Sequence, residues 1–437
     1  MNKLRKLVDA SLVLYYQSQL RKDQWKDPQQ LKKIQFKKLK SILKHAYEHV
    51  PYYHRSFSSA KIRPEDIRDQ DDLRKVPLTS KQDLQENCSC IVQRGIDVSK
   101  LYSSFTSGST GIPSKIIQDR HYKNHSGATE RYSFFESGTR LGDIFVTVWG
   151  RTESILWPKN YAKLWGGISE TVVPLYKQEK LIRILRHINP DVINTFPSVL
   201  SSIATYNVSR ITPRLIFTQG EVVTQHCRDL VRKMFDIELF EIYGSVEFGH
   251  LAFECTEHNG LHIITNNTNI EFLDEGGDKV APEEQGEIVV TGLHNRVMPL
   301  IRYRIGDVGI PTDEKCSCGR AWPLLRNVQG RINDDLVLPS GRKISWLHFY
   351  HQFYKEMGKN VFSISQYRII QDKKDRIIFE VVKGKDFDPK MLERIRDNLG
   401  TFFAKFGEKI EVIIEIVKEI PLERTGKRRI LISKVAK

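Results

Sequence analysis

The densest chemical signal in the chain is Ser103-Ser104-Phe105-Thr106-Ser107-Gly108-Ser109-Thr110-Gly111-Ile112-Pro113, directly after the apolar pair Leu101-Tyr102. Glycine lets backbone N–H groups come close to an anion, and Ser and Thr hydroxyls add donors. Such a loop is built to wrap a polyphosphate. No Gly-Lys-Ser/Thr follows, so it is not a Walker loop. A second signal is Cys316-Ser317-Cys318-Gly319, with Cys255 upstream and His258 and His262 three and seven residues after it. Three thiolates and one imidazole make a closed tetrahedral zinc site with no position left for a catalytic water, so the role expected is structural. Free thiols beside surface histidines are the plainer alternative. Cys88 and Cys90 read as ordinary thiols.

Four motifs in order resemble those of the adenylate-forming superfamily of acyl-CoA synthetases. Thr106–Pro113 resembles its phosphate loop. Tyr243-Gly244-Ser245-Val246-Glu247 resembles its Tyr-Gly-x-x-Glu motif, and Arg302-Tyr303-Arg304-Ile305-Gly306-Asp307 its Tyr-Arg-x-Gly-Asp motif. Pro421-Leu422-Glu423-Arg424-Thr425-Gly426-Lys427 resembles its C-terminal lysine motif. Val50-Pro51-Tyr52-Tyr53, Asp72–Leu78 and Met298–Arg304 resemble the phenylacetate–CoA ligase branch, which includes CapK-like proteins of capsular polysaccharide biosynthesis.

The resemblance implies a reaction and a role for each residue. ATP, with Mg2+, activates a small carboxylic acid as its acyl-AMP, pyrophosphate leaves, and the acyl group passes to coenzyme A. An amine, a glycan or a carrier protein is the alternative acceptor. Thr106, Ser107, Gly108, Ser109, Thr110 and Gly111 would hold the phosphates, and Glu247 the Mg2+, for which a hard oxygen donor is suited. Tyr243, Gly244 and Ser245 would lie by the adenine, with Gly220 and Glu221 as weaker contacts. Asp307 would accept from the ribose hydroxyls. Lys427 would bridge the substrate carboxylate and the α-phosphate as a point charge. Arg304 and Arg331 reach phosphate or carboxylate oxygens, or serve as ion-pair partners. Relatives carry the histidine seven residues after the cysteine, so the zinc set becomes Cys255, His262, Cys316 and Cys318. Trp149, Phe196, Pro197 and Gln219-Gly220-Glu221 would line the acid pocket, although such aromatics more often form plain core.

These groups need elements to hold them. Residues 1–100 read as mainly helical, broken at Pro51, Pro64 and Pro77. From about 100 to 250, apolar runs (Ile144–Trp149, Val192–Phe196, Leu215–Thr218) alternate with amphipathic stretches (Gln178–Ile188, Gln225–Phe235). That alternation predicts an α/β architecture with largely parallel strands. Residues 260–310 are strand-rich, with a turn at Glu275–Asp278. Ile364–Ile370, Arg376–Val382, Pro389–Phe406 and Lys409–Val417 read as strand, strand, helix and strand. The domains expected are therefore a large N-terminal one over 1–330 and a small mobile α+β one over 331–437. The hinge would be Gly330–Asp334, with Asn333 where relatives carry Asp or Lys.

The balance of the chain excludes other classes. With 437 residues it is long enough for two or three domains. Six cysteines without a secretion signal argue against a disulfide scaffold. The basic start followed by apolar Ala10–Tyr16 has no small-residue cleavage site, so it reads as an amphipathic helix of a cytoplasmic protein. The net charge is +15, densest in Leu31–His45. Helical spacing there makes a solvated basic face the simplest reading, with peripheral contact to anionic lipid as an alternative. No nucleic-acid-binding motif accompanies it.

Overall fold

The computed structural model describes residues 3–106, 114–149, 169–173, 178–204, 206–332, 335–360, 362–421 and 427–435. The chain divides into two compact units. One comprises Met1–Gly138 and Ile242–Val328, the other Thr139–Glu241 and Gln329–Lys437.

The first unit opens with helices Lys3–Asp23, Pro28–His49 and Pro51–Ser59. The second starts where Asp27 accepts from the Gln29 N–H and Pro28 occupies the first turn. Leu31, Leu39, Ile42, Leu43 and Ala46 fall on one face and are buried. Leu39, Ile42, Leu43 and Ala46 share a core with Ile288, Val290, Leu300 and Ile301. The basic run found in the sequence is the outward face of this helix, where Lys32, Lys33, Lys37 and Lys40 are exposed. Helix Arg120–Glu136, capped by Asp119, packs on helix Lys3–Asp23 and on strand Gly249–Glu254. Strands of this unit run in the order Thr268–Leu273, Gly286–Gly292, Tyr303–Thr312, Leu324–Arg331, Leu261–Ile263, Gly249–Glu254 and Leu239–Ser245. The pairs at both ends of that series are antiparallel.

The second unit holds the parallel strands. Leu215–Gln219, Val192–Thr195, Ile144–Val148 and Ser169–Val173 lie side by side in that order. Strands covered on both faces are mostly apolar runs, which is why Ile144–Val148, Val192–Thr195 and Leu215–Gln219 were readable, whereas Ser169–Val173, at the sheet edge and carrying Ser, Glu and Thr, was not. Helices Gln178–Ile188, Pro197–Ile203 and Gln225–Phe235 connect and cover them. The C-terminal part of this unit is a four-stranded sheet in the order Glu411–Ile416, Arg376–Lys383, Ile364–Lys373 and Leu431–Ser433. Its centre is the antiparallel hairpin, and both outer strands join it in parallel. Helices Trp346–Met357 and Pro389–Ala404 close a core around Phe353, Phe379, Ile395 and Phe403. No helix among the described residues is long and apolar enough to cross a membrane.

One buried ion pair braces the first unit. Arg302, at φ 44°, sits in the left-handed region and is almost wholly buried. Its Nε donates to Glu271 at 3.0 Å, and its Nη1 donates to the carbonyls of Arg74 and Val76. The backbone around Thr79 pairs with Arg302 and Arg304 on the same side. Removing one partner of a buried pair strands the other charge. Arg302→Ala is therefore expected to cost about 3–5 kcal/mol, read as a lower urea midpoint.

Candidate active site

In the first unit, two glycines position the side chains expected around a nucleotide. Strands Leu239–Ser245 and Gly249–Glu254 pair with a register shift between Tyr243 and Gly244. A Cβ on Gly244 would stand 2.6 Å from the Gly249 carbonyl oxygen, so only glycine fits. In strand Tyr303–Thr312, Arg304 pairs with Val289 and Val308 with Glu287. Three residues thus oppose one, and Gly306 takes φ 82° in the bulge. The bulge re-aims Asp307 toward Tyr243, whose hydroxyl donates to Asp307 Oδ2 at 2.9 Å. Glu247 follows the same turn, and its carbonyl accepts from the hydroxyl of buried Tyr122 at 3.1 Å.

Thr106 ends strand Tyr102–Phe105, which is antiparallel to Lys115–Gln118. The Thr106 N–H donates to the Ser114 carbonyl, and the Ser114 N–H donates to Thr106 Oγ1. Ser107, Gly108, Ser109, Thr110 and Gly111 lie outside the described residues, as do Asn333 and Asp334 of the expected hinge. Arg304 grips Glu287 through Nε and Nη2, at 2.6–2.9 Å. Arg331 is exposed at the end of strand Leu324–Arg331.

The second unit contains the lysine. Gly220 follows strand Leu215–Gln219 with φ 79°. A Cβ there would lie 3.1 Å from both Cε and Nζ of Lys427 and 3.2 Å from the Phe196 ring. The lysine therefore lies over a turn that has no side chain in its way. Its Nζ is 5.9 Å from the centroid of Phe196, and Trp149 stacks obliquely on that ring at 4.2 Å. Phe196 is fully buried in the core between the parallel strands and their helices. The Glu221 carboxylate accepts from Ser198 N and Oγ, both at 2.9 Å, and from the Arg428 N–H at 2.6 Å.

Also in the first unit, Cys255, His262, Cys316 and Cys318 converge, with all four ligand atoms within 4.8 Å of one another. Cys255 Sγ is 3.6 Å from Cys316 Sγ and 3.4 Å from His262 Nε2, which is 3.3 Å from Cys318 Sγ. Sulfurs around one zinc ion stand about 3.8 Å apart when Zn–S is about 2.3 Å, so the donor set fits that ion. Burial pushes the His262 imidazole down to about 4, which keeps it in the neutral form that ligates metal. Burial also raises the Cys255 thiol to about 12, and a divalent cation would reverse that direction. His258 is not in the cluster. It takes φ 51° and its Nδ1 faces Glu254 at 3.3 Å.

Comparison with known proteins finds relatives in sequence and in fold. The CapK C-terminal domain family matches residues 336–434. The chain is 29% identical over 336 residues to phenylacetate-coenzyme A ligase of Pseudomonas putida, covering 70% of this chain and 72% of that one. It is 23% identical over 387 residues to Protein CapK of Staphylococcus aureus, covering 83% and 80%. In fold it matches 2-hydroxyisobutyryl-CoA ligase in its postadenylation state with R3-HIB-AMP, at a TM-score of 0.81 and 18% identity, over 95% of this chain and 92% of that one. In sequence the chain is thus similar to phenylacetate–CoA ligases and to CapK over most of its length, and in fold to a CoA ligase.

The motif residues stand out in the sequence, but several of the groups that support them do not. Ser198, Arg428 and Tyr122 carry no motif, and their partners lie 23, 207 and 125 positions away. Only the fold brings them together. The Tyr-Gly turn gives the sharpest expectation from local geometry. Gly244→Ala forces backbone apart and is expected to cost about 1–3 kcal/mol. Thermal unfolding should show that loss, and ATP affinity should fall with it.

Proposed function

We propose that this protein is an AMP-forming acid–thiol ligase, which activates a small carboxylic acid with ATP and transfers the acyl group to coenzyme A. The observation that carries the proposal is the placement of Lys427 over Gly220, beside the Phe196 ring. Attack of a carboxylate oxygen on the α-phosphate forms the acyl-phosphate bond and breaks the bond to pyrophosphate. Two anions must approach each other, and a fixed ammonium at their meeting point lowers the repulsion. Lys427 supplies that charge. Asp307 accepts from the ribose hydroxyls while Tyr243 holds its carboxylate. In the first unit Gly244 and Ser245 are assigned to the nucleotide and Thr106 to Gly111 to its phosphates; in the second, Gly220 is the weaker contact. Arg331, at the start of the C-terminal module, contributes a further cation. Trp149, Phe196 and Pro197 bound the acid.

Glu247 is the residue assigned to Mg2+, which, when bound, neutralises phosphate charge. The module 331–437 is the part we take to move between adenylation and thioester formation. Because the superfamily reaction uses ATP and coenzyme A, we place the enzyme in the cytoplasm. Cys255, His262, Cys316 and Cys318 are assigned to a structural zinc ion. It would tie the segment after Glu247 to the segment after Asp307.

Four measurements test this reading. Pyrophosphate release over a panel of acids, with and without coenzyme A, should give AMP and a thioester for one acid class. Adenylation indifferent to coenzyme A would replace the acceptor, and no adenylation of any acid would sink the reading. Lys427→Ala should abolish acyl-AMP formation and leave ATP binding largely intact. Elemental analysis of protein purified without added metal should find about one zinc per chain, as a closed four-ligand set retains its ion. Cys318→Ser should lose the zinc and lower the melting temperature.

A further inference from the structure

We infer that Glu221 is a positioning residue: its buried carboxylate latches the segment that carries Lys427, and this latch sets the lysine over Gly220. The inference rests on the adenylation reading above and adds a residue whose own role would otherwise be nucleotide contact.

A lysine side chain has four rotatable bonds and a compact, strongly hydrated charge. Its ammonium is useful only if the backbone beneath it is fixed. The neighbouring residue fixes it. The Arg428 N–H donates to Glu221 at 2.6 Å. The Arg428 guanidinium donates through Nη1 to the Ser198 carbonyl and through Nε to the Ile420 carbonyl, both at 3.2 Å. The bond to Ile420 joins the two ends of the segment that contains Lys427. Ser198 returns two donors to Glu221, its N–H and its hydroxyl. Glu221, Ser198 and Arg428 thus close a ring of hydrogen bonds. Two of its members are charged, and Arg428 is only 8% exposed.

The chemistry of the ring favours a latch over ordinary packing. Burial raises the Glu221 carboxyl, and the donors from Arg428 and Ser198 oppose it. Burial likewise lowers the Arg428 guanidinium, opposed by the charge of Glu221. Each charge offsets part of the burial cost of the other. A small cavity lined by Ser198, Glu221, His226, Tyr367 and Arg428 adjoins the ring. The joint is therefore incompletely packed, unlike the aromatic core of the C-terminal sheet.

Hydrogen exchange of the full-length protein, with peptides spanning Lys427–Leu431, reads the latch without reference to activity. In Glu221→Ala the Arg428 amide should exchange at least about tenfold faster, while the hairpin Ile364–Lys383 is unchanged. Glu221→Gln, which keeps one acceptor oxygen, should fall between. Adenylation kcat should drop about a hundredfold in Glu221→Ala, with KM for ATP and acid nearly constant. Thioester formation from supplied acyl-AMP should persist. An unchanged Arg428 amide, or equal loosening of the hairpin, overturns the latch. Exchange as expected in a protein whose wild type forms no acyl-AMP supports the latch and overturns the reaction assigned to the lysine.

Discussion

The contact of Lys427 with the Gly220 turn is the interaction on which the rest of the site depends. An ammonium stabilises charge building up at an α-phosphate only if it is held at contact distance and shielded from bulk water. The lysine reaches Gly220 because the C-terminal sheet and its helices pack beside helix Gln225–Phe235. The Tyr350 hydroxyl accepts from the His226 N–H at 2.9 Å, and Val222 packs on the C-terminal core. An aromatic core built from Phe353, Phe379 and Phe403 therefore serves, at a distance, to place one charge.

Absence of side chains is the second recurring device. Gly220, Gly244 and Gly306 do different things, but each clears a path for a functional group. Gly220 leaves room for Lys427, Gly244 admits the Gly249 carbonyl, and Gly306 takes the positive φ that turns Asp307 toward Tyr243. Gly244 and Gly306 stand within the motifs that signalled the function, and Gly220 lies outside them. That is why those motifs are short and rich in glycine. They record backbone constraints as much as chemistry.

This explains what could be read from the sequence and what could not. The buried parallel strands, the C-terminal hairpin and the amphipathic helices announce themselves by local pattern. Lys427, Glu247 and Asp307 are found through the motifs around them. The spacing of Cys255, Cys316 and Cys318 pointed to a cluster, yet it left two histidines open. Geometry separates them, because His262 lies on a strand paired with Leu324 while His258 is turned toward Glu254. Glu221 was visible only as the neighbour of Gly220, and the use of its carboxylate was hidden. The Arg302–Glu271 pair was likewise silent, since nothing marks which of 68 basic residues will be buried. Long-range polar pairing is fixed by the whole fold and leaves little local trace.

The two fastenings in the molecule differ in strength in a way that suits different duties. A four-ligand cysteine–histidine site holding zinc is worth about 10–16 kcal/mol in small peptides. A clamp of that strength does not open during a reaction cycle, which fits segments that must keep Tyr243 and Asp307 in fixed register. The Glu221–Ser198–Arg428 ring is held by four hydrogen bonds, three to the Glu221 carboxylate and one from the Arg428 guanidinium. Such bonds contribute about 1.5–3 kcal/mol each at most. Opening it is within reach of the binding energy of a substrate or a nucleotide, provided water can satisfy the separated charges. The proposed delivery of Lys427 for one half-reaction and its withdrawal for the next call for this weaker kind of joint. On the proposed reading, permanence belongs to a zinc-loaded cluster and reversibility to the latch.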